Sequence, residues 1–258
     1  YNNASDLALL GVTAHEEAHM WVPMIVNVDE RRYGWMDEGT TSFHTDEAMR
    51  AIPPDSLKPK PDSRAAGYLM LPRQEGEGEI MRWSNFHHNG MAYGVASYPK
   101  PASILHMLRG VLGEEMFLKA FRTYLKTWAW KHPYPWDMFN TFSAVSGKNL
   151  DWFIRSWYYE TWTLDQAVAG VRETAVGTEI TVEDKGWVPM PVLLTVTRQD
   201  GTTEQLRLSE EEWLIGRTKT SVTVKPGSPV VKVEIDPKYY FADIERTNNV
   251  WEKAAESN

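Results

Sequence analysis

The stretches DLALLGVTAHEEAHMW, residues 6–21, and YGWMDEG, residues 33–39, decide how this chain is read. From Asp6 to Trp21 there is no proline and Gly11 is the one glycine, while Ser5 or Asp6 offers a side-chain oxygen as N-cap. The pattern predicts a helix of about sixteen residues. On a helix turning about 100° per residue, His15 and His19 lie roughly 40° apart and Glu16 lies roughly 60° beyond His19. All three share one face. Two imidazoles one turn apart suit a single zinc ion, whereas Glu16 is too near in sequence to chelate with them and reaches the water that such an ion holds. The two histidines are therefore read as ligands and Glu16 as a general base.

A catalytic zinc needs a third protein ligand and an open position, and no third histidine follows at short spacing. Glu38 is the candidate, placed after eighteen residues that separate it from His19. It falls on a second helix expected from Trp35 to Arg50 and ended by Pro53 and Pro54. Gly39 beside it would let that helix come close to the first, and Asp37 is read as pointing elsewhere. The set is one zinc ion per chain on His15, His19 and Glu38.

Composition narrows the partners. A net charge of -8 argues against nucleic acid and anionic lipid, which demand clustered Lys and Arg. The longest apolar runs fall far short of a membrane helix, so no transmembrane segment is expected. With no cysteine, any metal must sit on His and carboxylate. The chain opens on Tyr1 without initiator methionine or signal peptide and reads as part of a longer protein.

The segment from Pro53 to Ala96, rich in Pro, Gly, Asn and charge, reads as a long irregular excursion. Its Glu75 to Glu79 run is taken as a solvated loop and His87-His88 as loop residues. Helical pattern resumes from Pro101, with breaks at Gly110, Gly113 and Pro133 to Pro135, through Trp157. Beyond Asp165 come short β-branched stretches at Ile180 to Val182, Val192 to Thr197, Gln205 to Leu208, Val222 to Val224 and Val230 to Ile235. Turn signals separate them. The expected layout is a mostly α catalytic domain over 1–165, a small antiparallel β-sandwich domain over 166–250 and a tail over 251–258.

Two histidines with a glutamate between them, eighteen residues and then Glu38 in a Trp-x-x-Glu-Gly context resemble the gluzincin zinc aminopeptidases of the aminopeptidase N family. A second match follows in Ser97-Tyr98-Pro99-Lys100-Pro101, similar to that family's Tyr-x-Lys-Gly segment. The resemblance implies a thermolysin-like catalytic domain and gives Tyr98 the role of stabilising the oxyanion. Pro99 is expected to hold Tyr98 extended, at a strand-to-helix corner, with Pro101 starting the next helix; Tyr93 is its rival. Pro101 departs from the family's glycine. The resemblance also implies peptide substrates, an amine-binding glutamate upstream that nothing before Asp6 matches, and a missing N-terminal β domain. In this reading Glu16 takes a proton as water attacks the scissile carbonyl and passes it to the departing amine. Alternatives are a zinc hydrolase of other specificity, such as an endopeptidase or an epoxide-opening relative, and a non-catalytic peptide-binding module using some of the twelve tryptophans, most of which recur at helical spacing as core residues do.

Overall fold

The first of the two stretches folds as α1 (Asp6–Ala18), whose N-cap Ser5 accepts the Ala8 amide at 3.2 Å. This and all that follows come from a computed structural model, which describes residues 5–254. α1 is shorter than expected. Pro23 disfavours helix at Val22 and lacks an N–H, so the chain leaves α1 at His19 and continues as turns. The second helix, α2 (Glu30–Ala51), begins earlier than Trp35 because Asp29 caps the Arg32 amide at 3.2 Å. Its regular geometry is interrupted at Tyr33 (φ -127°, ψ 54°).

The excursion after Pro53 holds single 3-10 turns and then α3 (Gly90–Ser97), capped by Asn89 on the Ala92 amide at 2.9 Å. Gly90, Gly94 and Ser97 concealed this helix, since propensity alone argues against it. Nor is the acidic run solvated throughout. Glu77 and Lys100 side chains are 6% and 2% exposed, with Lys100 Nζ 3.4 Å from Glu77 Oε1 and 5.2 Å from the Tyr68 ring centroid. Burial lowers the Lys100 pKa, opposed by Glu77.

α4 (Pro99–Leu112) starts at Pro99 rather than Pro101. Gly110 does not break it, because there the missing side chain makes room: an added Cβ would lie 2.8 Å from Phe241 and 2.9 Å from Tyr240. α5 (Glu114–Trp128), α6 (Pro135–Ser146) and α7 (Asp151–Ile154), with a π turn at Arg155–Tyr159, complete this unit. It runs to Thr161 and includes Tyr240–Ala242. Its core joins Phe43 of α2 to Phe117 and Phe121 of α5, ring centroids 5.6 Å apart in each case. Trp157 is fully buried, but Trp130 is 80% exposed and so lies outside the core that helical spacing suggested. Among the described residues no helix is long and apolar enough to cross a membrane.

The other unit comprises Trp162–Tyr239 and the chain from Asp243. Its strands are β1 (Gln166–Thr174), β2 (Gly177–Asp184), β3 (Val192–Arg198), β4 (Thr203–Leu208), β5 (Lys219–Val224), β6 (Val230–Ile235) and β7 (Val250–Glu252). They form two antiparallel sheets in the orders β1-β2-β5 and β4-β3-β6-β7. Ile180, Val182 and Val224 of the first share one apolar cluster with Val192, Leu194, Val196, Val233 and Ile235 of the second. Trp213, on the short α8 (Glu211–Leu214), packs on this cluster and donates Nε1–H to the Met190 carbonyl at 2.8 Å. β1 escaped the sequence pattern because Ala167, Ala169 and Gly170 dilute its β-branched residues and its register slips between Val168 and Gly170.

Candidate metal centre

α1 and α2 pack so that His15, His19 and Glu38 present one ligand atom each, all within 4.8 Å of one another. Glu38 Oε2 lies 3.1 Å from His15 Nε2 and 3.5 Å from His19 Nε2. The two imidazoles stand edge to face, 4.9 Å apart, and the three side chains keep one-fifth of their surface open.

The other ring edges are held by α2. His19 Nδ1 is 2.8 Å from Asp37 Oδ1, 3.1 Å from the Val22 carbonyl and 3.3 Å from Thr41 Oγ1. His15 Nδ1 is 3.3 Å from Thr45 Oγ1, whose own proton goes to the Thr41 carbonyl at 2.9 Å. With the Thr45 proton committed there, its oxygen must accept from His15 Nδ1–H, and Asp37 accepts from His19 Nδ1–H. Both Nε2 atoms are then bare lone pairs facing a carboxylate oxygen. Three acceptors gathered this closely repel one another unless a cation lies among them, so this donor set fits a metal such as zinc. Asp37, read from the sequence as turned away, is thus the orienting partner of His19. Burial pushes its carboxyl up to about 7, against the pull of His19. The signal for these residues was present: Asp37, Thr41 and Thr45 recur at i, i+4 and i+8, one face of α2.

Tyr98 sits at the junction of α3 and α4 with φ -108° and ψ -82°, so it is neither extended nor at a strand end. Its ring lies 6.0 Å from that of His15, nearly parallel. Burial, and next the Glu38 carboxylate, raise its pKa and keep it a donor. Tyr93 instead packs against His87, ring centroids 5.9 Å apart. Glu16 is exposed on α1 and lines a groove with Leu9, Val12 and Met20. Gly39 does face a helix closely, but it is α4 and not α1: an added Cβ would fall 2.6 Å from Pro101 Cβ.

Fold and cluster together define a class, a helical unit carrying a two-histidine, one-glutamate metal cluster in a chain that also holds antiparallel sheets. The comparison with known families narrows it further. Residues 1–157 match the model described as the peptidase family M1 domain, and the chain belongs to that family. It is 25% identical to aminopeptidase M1-B of Oryza sativa subsp. japonica over 159 residues, 60% of this chain and 18% of that protein. It is 27% identical to the puromycin-sensitive aminopeptidase of Caenorhabditis elegans over 149 residues, 57% of this chain and 16% of that protein. The chain thus spans less than a fifth of these relatives. A structure of Legionella pneumophila aminopeptidase A in complex with aspartic acid superposes with a TM-score of 0.65 at 17% identity, over 92% of this chain and 27% of that one.

Proposed function

We propose that this chain is the zinc-binding, catalytic part of an aminopeptidase that hydrolyses peptides from their amino termini. We read the helical unit as a thermolysin-like, gluzincin-type catalytic domain over 1–165 and the two sheets as a small β-sandwich domain over 166–250; the two compact units support this reading. The observation that carries the proposal is the convergence of His15 Nε2, His19 Nε2 and Glu38 Oε2 with both histidines held at Nδ1 from α2. These three residues would hold zinc, which when bound polarises a carbonyl and makes water acidic enough to attack it near neutral pH.

The protein's own groups do the rest. Glu16, on the solvent side of α1, takes the proton from the attacking water and returns it to the departing amine. Tyr98, kept protonated by burial, gives a hydrogen bond to the oxygen that gains negative charge. The names of the family relatives support removal of amino-terminal residues.

The test is zinc content on the purified chain together with hydrolysis of aminoacyl amides, free and N-blocked, with and without chelator. One zinc per chain and chelator-sensitive hydrolysis of the free amides are expected. Glu16→Gln should retain zinc and lose about 10²–10⁴ in rate. Equal use of N-blocked substrates would replace the aminopeptidase reading with an endopeptidase, and a Glu16→Gln chain as active as the parent would overturn the role of Glu16.

A further inference from the structure

His15 and Tyr98 also form one side of a second space. A cavity of about 280 Å³ opens beside them, and its wall includes Ser42, Thr45, Ser63 and Arg64. A space of this size suits one residue of a peptide rather than an extended segment. It adjoins the metal cluster through His15 and the oxyanion donor through Tyr98, so whatever fills it lies next to the bond that the proposed chemistry would cut.

The charges around this space are unevenly matched. Asp46, also in the wall, takes a hydrogen bond from His106 Nε2 at 2.9 Å. Glu47 is gripped by Arg109 through two bonds of 3.1 and 2.9 Å and by Arg50 at 3.1 Å. Arg109 Nε further pairs with Glu114 at 3.3 Å. Arg64 differs in having no carboxylate within ion-pair distance among the described residues; its Nε, like those of Arg50 and Arg109, is buried without a hydrogen-bond partner. Its guanidinium lies over the Tyr240 ring, 5.9 Å from the centroid.

The surroundings work against this cation. Burial lowers the Arg64 pKa most, and Arg50 and Arg109 lower it further, with Tyr240 and Glu47 opposing. An anion entering the cavity would offset both the lost hydration and the repulsion. A cation there would meet Asp46, but that carboxylate is already engaged and the three arginines oppose a further positive charge. Ser42, whose hydroxyl has no hydrogen bond among the described residues, supplies a neutral donor in the same wall.

We propose that this cavity is a carboxylate subsite, in which Arg64 and Ser42 receive an anionic group of a bound peptide beside His15 and Tyr98. The group is either an acidic side chain or a free C-terminal carboxylate. The inference deepens the peptidase reading and rests on it for the identity of the ligand, though not for the charge preference. Arg64 then selects substrate and takes no part in bond cleavage.

The experiment is calorimetric binding of three dipeptides to the full chain supplied with zinc, with hydrolysis followed in parallel. Alanyl-alanine amide is neutral, alanyl-alanine carries only the terminal carboxylate, and alanyl-glutamic acid amide carries only the side-chain one. At least one anionic dipeptide should bind about tenfold more tightly than the neutral amide, and which one identifies the source. Arg64→Gln should bring that ratio to about one and Arg64→Lys should restore part of it, with far-UV circular dichroism verifying the fold of each variant. Equal binding of all three by the parent, or a ratio preserved in Arg64→Gln, overturns the inference. A preference lost in Arg64→Gln without any turnover keeps the subsite and removes the peptidase reading. Turnover without preference does the reverse, and neither binding nor turnover removes both.

Discussion

Asp37 fixes the side of His19 that no metal would touch, 2.8 Å from Nδ1, so its worth lies in the tautomer and ring angle that it sets. Asp37→Ala leaves the Val22 carbonyl and Thr41 near the same nitrogen and therefore need not unfold α2. Zinc affinity, measured by competition with a chromophoric chelator, should fall about 10–100-fold, the usual cost of losing such a partner. Unchanged affinity would show that the backbone carbonyl alone orients His19. The spacing that brings His15, His19 and Glu38 together is legible from sequence, because helical periodicity fixes the two histidines and residue type picks out the glutamate. Asp37 was not legible. Its direction depends on how α2 is rotated against α1, and adjacent acidic residues on a helix differ by about 100° with nothing local to say which one faces the partner.

At the level of helices, Gly39 and Pro101 form one contact between α2 and α4. A Cβ on Gly39 would strike the proline ring, with its nearest approach at Pro101 Cγ, and a ring cannot swing aside as a flexible chain end does. Gly39→Ala should therefore destabilise the chain by about 1–3 kcal/mol, read as a lower urea midpoint at unchanged slope. In a Pro101→Gly background the same change should cost less than about 1 kcal/mol, since the two sites are coupled by contact. Equal costs in both backgrounds would place the strain elsewhere. The sequence marks Gly39 as a close-approach residue but points to α1 where the structure has α4, because spacing along a chain does not tell which of several neighbours a bare backbone meets. The same limit conceals α3 and sets the expected start of α4 two residues late: Pro99 and Pro101 both suit a helix start, and nothing local says which of them opens α4.

Over the whole molecule the contrast between helical and β-branched patterning is strong enough to separate the two halves of the chain. What it missed, β1 and β7, are strands made by pairing: β1 is rich in alanine and glycine, and β7 is a three-residue segment aligned along β6. Such strands take their conformation from a partner, and no local signal encodes that. Without a cation, the Glu38 carboxylate oxygen faces the two histidine lone pairs across 3.1 and 3.5 Å, so a metal ion would bind the native state far better than an unfolded chain in which the three donors are scattered. Zinc held at 1,000 times its dissociation constant adds about 4 kcal/mol of stability. For a chain of this size that corresponds to a rise in melting temperature on the order of ten degrees by calorimetry, reversed by chelator. His19→Ala removes one donor and should abolish most of the rise. If that variant is stabilised by zinc as much as the parent, the metal is acting elsewhere on the protein and the cluster of His15, His19 and Glu38 is not its site.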